Sequence, residues 1–282
     1  MTEHYRNPEV LVSTQWVDEN IQNNTSMAVI EVNTNLQNEY WQGHISGSIG
    51  WDLHTDLEDP VKRDIPNISQ LETLLGKSGI DNSTTIILYG DGNNRSATWA
   101  FWILKHYRHK DVRLMNGGRK KWVSENRTLV TETPDPVNKT YKVSIPDHSI
   151  RAMREYIVHN LSNRDVKLLD TRTYEEYSGV STSSTNTQQS EIYRMGRIPN
   201  SIHIPWDDGT LHDGDFKSAS ELHDLYDKKG INSSHEVIPY CRLGVRASYS
   251  WFVLKYLLGY PRVRNYDGSW TEWGNSSGLP IE

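Results

Sequence analysis

The feature that most constrains this chain is that it repeats itself. "WAFWILKHY" (99–107) resembles "YSWFVLKYL" (249–257), with Phe101 and Trp251, Leu104 and Leu254, and Lys105 and Lys255 each 150 residues apart. Gly118 of "MNGGRKKW" and Gly268 of "NYDGSWTEW" keep the same offset. "KSGIDNS" (77–83) matches "KKGINSS" (228–234) at 151, and "GHISGSI" (43–49) matches "GRIPNSI" (196–202) at 153. "VIEVNT" (29–34) matches "LLDTRT" (168–173) at 139. The polar stretch "STSSTNTQQS" (181–190) accounts for that change of offset and reads as an inserted surface loop. Similar segments in the same order point to duplication of one structural unit.

Each half reads as an α/β unit. The short apolar runs "MAVIEV", "TTIILY" and "VRLMN" have counterparts in "VKLLDT", "EVIPY" and "RVRNY", and all six read as buried strands. Helical patterns lie between them. "SQLETLLGKSG" is expected to open with a capping box at Ser69 and Glu72 and stop at Gly79. "SELHDLYDKKG" is expected to start at Ser220 and end at Gly230. Alternating strand and helix implies a mainly parallel sheet flanked by helices. The proline-bearing stretch 131–149 reads as a linker, so the expected division is 1–130, linker 131–149, and 150–282.

The length of 282 residues admits one or two domains, and 35% hydrophobic with 23% charged residues is a foldable composition. A net charge of −6 argues against general nucleic-acid binding. "MTEHYRNPEV" has no apolar signal core, and "WFVLKYLL" is broken by Lys255, so neither secretion nor membrane insertion is expected. A single cysteine fits a reducing cytoplasm. The eleven histidines lack ligand spacing, and no metal or other cofactor is expected.

That cysteine, Cys241, follows the strand "EVIPY" and precedes the helical pattern "ASYSWFVLKYLLG". It therefore sits at the carboxyl end of a strand, where open α/β sheets place ligands. The loop "CRLGVR" (241–246) must turn the chain into the helix, and Gly244 permits a left-handed backbone there. Amides at the helix start, together with Arg242 and Arg246, favour thiolate over thiol. A buried structural cysteine would have aliphatic neighbours instead. The spacing is Cys-x4-Arg, one residue shorter than the Cys-x5-Arg loop of cysteine phosphatases; six residues after Cys241 stands Ala247. The shorter loop suits a centre smaller than a phosphoryl group, and sulfur is the natural candidate.

Together "CRLGVRAS", "NYDGSWTEW" (265–273) and "YWQGHISGSI" (40–49) carry a resemblance. The chain resembles the two-domain rhodanese family of sulfurtransferases over essentially its whole length. Ser46 and Gly47 stand where Pro and Gly are commoner in that family. "WDLHTDLEDPVKRD" and "NGGRKKW" are most similar to bacterial and archaeal thiosulfate sulfurtransferases. The resemblance implies two tandem rhodanese-like domains. It also implies a ping-pong cycle in which the Cys241 thiolate takes the outer sulfur of thiosulfate and passes it to cyanide or a thiol acceptor. Backbone amides of Arg242, Leu243, Gly244, Val245 and Arg246 would cradle the persulfide, Arg242 and Arg246 would hold the sulfonate end, and Arg246, as the last loop residue, is expected to point inward and brace the cradle. Asp170, Arg172 and Trp206 are expected as supporting residues: Asp170 orienting the loop, Arg172 adding positive charge, Trp206 lining the pocket. Some animal members carry a substrate arginine where this chain has Glu176, before Tyr177. Asp91 falls opposite Cys241 in the first half, so that half is expected to be catalytically silent and to form one wall of an interdomain cleft. The competing readings are a 3-mercaptopyruvate sulfurtransferase, a protein-to-protein sulfur relay, a non-catalytic interaction module and, against the loop length, a phosphatase.

Overall fold

The computed structural model describes residues 4–21, 24, 26–59, 62–181 and 194–282. Most of the expected insertion 181–190 lies outside the described residues. The chain divides into two compact units. One comprises residues 8–147 together with 210–216; the other comprises 1–7, 148–209 and 217–282.

The first unit is built on a five-stranded sheet in the order β1-β5-β4-β2-β3. Its strands are β1 (Leu11–Val12), β2 (Met27–Asn33), β3 (Ile49–Asp52), β4 (Thr85–Tyr89) and β5 (Val112–Met115). Every pairing is parallel. Val29, Ile87, Tyr89 and Met115 close one core cluster with Val17, Ile45 and Trp122. Such doubly covered parallel strands need the continuous apolar runs seen in the sequence. The second unit carries β6 (Val166–Asp170), β7 (Ile202–His203) and β8 (Glu236–Tyr240) in the order β7-β6-β8, again all parallel. Its core gathers Leu168, Ile198, Ile238, Tyr240, Tyr266, Trp270 and Trp273.

The repetition extends to single hydrogen bonds. In the first unit the Tyr89 hydroxyl receives the Ile45 N–H at 3.1 Å and meets the Ser48 hydroxyl at 2.9 Å. In the second, the Tyr240 hydroxyl receives the Ile198 N–H at 3.2 Å and donates to Ser201 Oγ at 3.0 Å. Each tyrosine ends its strand, β4 or β8, and ties it to the turn before the edge strand two places away, β3 or β7. A buried phenol needs such partners.

Several local expectations are corrected. The first capping box is Asn67 with Gln70, opening a helix Ile68–Lys77, two residues earlier than Ser69 with Glu72. The second helix is capped by Ser218, whose side chain accepts from Glu221 N, with the Glu221 side chain returning to the cap. "RVRNY" forms isolated parallel bridges, Val237 with Val263 and Arg151 with Asn265, and no strand. The stretch 131–149 is no free linker. Lys139 N donates to Gly76 O at 3.0 Å, and buried Tyr141 places its hydroxyl 2.8 Å from His109 Nδ1. Residues up to Asp147 thus belong to the first unit. So do residues 210–216, where Phe216 N donates to Asn116 Oδ1 at 3.1 Å and Asp215 pairs with Lys121.

Candidate active site

Cys241 is the first residue past β8 and is buried, with 1% of its surface exposed. The chain turns through 241–244 and enters the helix Val245–Phe252. Gly244 caps that helix with φ 89, in the left-handed region. Its bare Cα is needed twice over, because a Cβ there would lie 2.7 Å from Asp267 Cα. The turn aims the Gly244 N–H at the Cys241 sulfur, 3.1 Å away. An amide donor at the positive end of a helix is the contact that negative charge on sulfur requires.

The carbonyl groups of the loop face elsewhere. Cys241 O accepts from Trp270 N at 2.9 Å. Arg242 O accepts from Thr271 N at 3.1 Å and from the Thr271 hydroxyl at 2.8 Å. Gly244 O accepts from Asn265 Nδ2 at 3.4 Å. Ser269 accepts the Cys241 N–H at 3.0 Å and anchors itself by donating to Tyr266 O at 2.7 Å. Asp267, against which Gly244 packs, is held by Arg151 at 2.6 and 2.9 Å. The signature 265–273 is therefore the scaffold of the cysteine loop. It holds the carbonyls of Cys241, Arg242 and Gly244, while the Gly244 N–H points at the sulfur.

Arg246 turns inward, as expected of the last loop residue. Its guanidinium makes two bonds to Glu176, at 2.6 and 2.9 Å, and Glu176 is 1% exposed. Burial opposes charge on Arg246, but the Glu176 bonds and the nearby Cys241 charge outweigh it, and its pKa is raised. Burial likewise pushes Glu176 up, and Arg246 more than offsets this, so its carboxyl lies below the usual range. Glu176 also receives the Thr173 N–H at 3.1 Å within a capping box. Arg246 is thus a brace, held by its ion pair with Glu176. The glutamate that departs from the animal arginine pattern is what holds it.

Asp170 and Arg172 also neutralise each other. Arg172 Nε and Nη2 bond Asp170 at 2.9 and 2.6 Å, Nη2 reaches Gly196 O at 2.8 Å, and both residues are buried. The guanidinium lies 4.7 Å from the Trp270 ring centroid. These residues brace β6 against the scaffold segment; Arg172 supplies no unbalanced charge. Trp206 is half-buried and meets the Tyr249 ring edge-on at 5.2 Å, against the helix that leaves the loop. Arg242 and Leu243 are half-buried on the loop, and Val245 is buried. Ser269, Asn265 and Asp267 were not legible as site residues by spacing; the only signal was their place in a signature of then unassigned role.

The corresponding loop of the first unit has the opposite electrostatics. Asp91 occupies the cysteine position, and Gly92, Asn93 and Asn94 are all left-handed. Three loop amides are already satisfied: Gly90 N by Asn94 Oδ1 at 3.0 Å, Asp91 N by Asn33 Oδ1 at 3.0 Å, and Gly92 N by Asp91 itself at 2.8 Å. A cavity of about 270 Å³ beside the loop is lined by Glu39, Asp91 and Arg95 among others. Burial, and then the charges of Asp91 and Glu31, push Glu39 up to about 7.

A rhodanese-like domain matches residues 13–125 and again 153–276, and the chain belongs to the rhodanese family. It is similar to the sulfur carrier protein TtuD of Thermus thermophilus, 47% identical over 98% of both chains. It is also similar to a putative thiosulfate sulfurtransferase of Haloferax volcanii, 39% identical over 97% of this chain and 96% of that one. Among solved structures, an anaerobic ergothioneine biosynthesis enzyme from Chlorobium limicola superposes with a TM-score of 0.87 at 26% identity, covering 99% of this chain and 71% of that one. A structure of EanB with a cysteine persulfide and ergothioneine superposes with a TM-score of 0.85 at 26% identity, with the same coverage.

Proposed function

We propose that this protein is a sulfurtransferase that moves sulfane sulfur from thiosulfate through a persulfide on Cys241. The observation that carries this is the Gly244 N–H on the Cys241 sulfur at 3.1 Å, in a loop whose carbonyls are bonded away from it. The thiolate attacks the outer sulfur of thiosulfate. The S–S bond of thiosulfate breaks, and its electron pair leaves with sulfite. The terminal sulfur of the new persulfide then carries the negative charge, and the loop amides with the helix start stabilise it without rearranging. Cyanide or a thiolate attacks that sulfur, the persulfide bond breaks, and its electrons return to Cys241. Relatives named as thiosulfate sulfurtransferases support this choice of donor. The first unit is silent in this scheme, because a carboxylate stands at the thiol position.

A second reading has support of its own. A relative 47% identical is named a sulfur carrier protein, and a relay role would use the same cysteine with a protein as donor or acceptor. Intact mass after incubation with thiosulfate tests the proposal. A gain of one sulfur atom, removed by cyanide and absent in Cys241→Ser, is the expected result. No gain eliminates thiosulfate as donor. A gain with 3-mercaptopyruvate alone would establish that substrate instead, and a gain only from a persulfidated protein would establish the relay.

A further inference from the structure

The helix that begins at the cysteine loop ends in a π-helical turn, Val253–Leu257, which leaves backbone carbonyls without helical partners. The beginning of the chain satisfies two of them: Arg6 N donates to Leu257 O at 2.7 Å and Asn7 N to Tyr256 O at 3.2 Å. This docking builds a cavity of about 800 Å³ lined by His4, Tyr5, Arg6, His223, Leu258 and Tyr260 among others. That volume is in the range of small-molecule sites.

Its chemistry is cationic on one side and apolar on the other. Gly259 has φ 71, and a Cβ there would lie 2.4 Å from Arg6 Cγ. The absence of that Cβ lets the Arg6 stem lie directly on the backbone, beside the cavity. Among the described residues Arg6 makes no ion pair, unlike Arg246 and Arg172, whose charges are consumed. Tyr260 is buried and faces His223, with ring centroids 6.3 Å apart. The lining brings the Arg6 guanidinium together with the apolar atoms of Leu258 and Tyr260.

We infer that this cavity, whose lining includes no residue of the cysteine loop, is a second ligand site for an organic anion. A carboxylate or phosphate head pairs with Arg6, and an aromatic or alkyl body packs on Tyr260 and Leu258. A guanidinium recognises such a head by paired charge-assisted hydrogen bonds. The inference holds whichever sulfur donor the cysteine uses.

Titration with phenyl phosphate and with benzoate, followed by calorimetry and by amide NMR shifts, tests it. The wild type should show saturable binding to at least one probe, with shifts at Leu258–Tyr260 and His223. Cys241→Ser should bind equally well, and Arg6→Gln, which keeps the aliphatic stem, should bind about tenfold more weakly, a loss of ~1.4 kcal/mol. If Arg6→Gln is thermally destabilised, His223→Gln supplies the second test, with loss of affinity expected for the same probe. Absence of saturation with both probes overturns the inference. So does binding that both variants leave unchanged, or binding that thiosulfate displaces and Cys241→Ser abolishes, which would place the probe in the cysteine loop.

Discussion

Replacing Glu176 by Gln isolates the ion pair that braces the cysteine loop. Gln keeps the shape and one acceptor for Arg246, but removes the negative charge. The Arg246 side chain is 13% exposed and that of Glu176 1%, so solvent compensates little. Breaking a buried pair by removing one partner leaves an uncompensated charge, typically costing 3–5 kcal/mol, and the retained acceptor places this case near the lower end, about 3 kcal/mol. Urea unfolding of the unit that holds Cys241 measures it. The pH dependence gives an independent check. Burial raises the Glu176 carboxyl and Arg246 lowers it further, leaving it below its ordinary value of 4.5. The stabilisation is therefore complete above the unfolded value and is lost as pH falls through the folded one. The variant should have a flatter stability profile on the acid side. Persulfide formation should slow as well, because a guanidinium freed from its clamp no longer fixes the helix start that holds the loop. A double-mutant cycle with Arg246→Met should show strong coupling. Wild-type stability in Glu176→Gln, with an unchanged acid limb and no coupling, would refute the claim that this pair holds the loop.

Three further outcomes follow from the same geometry. Ser269→Ala strips the Cys241 N–H of its acceptor, which costs about 1–3 kcal/mol for a buried donor, and should slow persulfide formation in stopped-flow measurements while the fold persists. Gly244→Ala must take a left-handed conformation, costing about 1–2 kcal/mol, and also collide with the Asp267 backbone; mass spectrometry should show little persulfide after thiosulfate treatment. Asp91→Cys should gain no thiosulfate-derived sulfur in a Cys241→Ser background, since Gly92, Asn93 and Asn94 are all left-handed, a turn unlike that of 241–244, and the Asn94 side chain stays tied to Gly90 N; a persulfide there would show that the thiol alone makes a reactive loop.

The duplication, the parallel α/β units and the place of Cys241 between a strand and a helix were legible in the chain because each depends on local order. Apolar runs specify buried strands, a glycine at 244 permits one turn, and a lone cysteine between a strand and a helix has few other uses. Charge assignment was not legible. Arg246 and Arg172 read as cations for a substrate, yet each meets a carboxylate: Arg172 meets Asp170, two residues before it, and Arg246 meets Glu176, which the packing of β6 beside β8 brings near. The pair Arg246 and Glu176 is 70 residues apart in sequence, and no local pattern encodes that distance. The same holds for the loop scaffold: Ser269 meets Cys241 across 28 residues, only after 265–273 folds back along β8. Local sequence thus determined which backbone turns could form and where a thiol would sit. Tertiary structure decided which charges remain available to a ligand, because ion pairing depends on separation in space, and chain order does not record it.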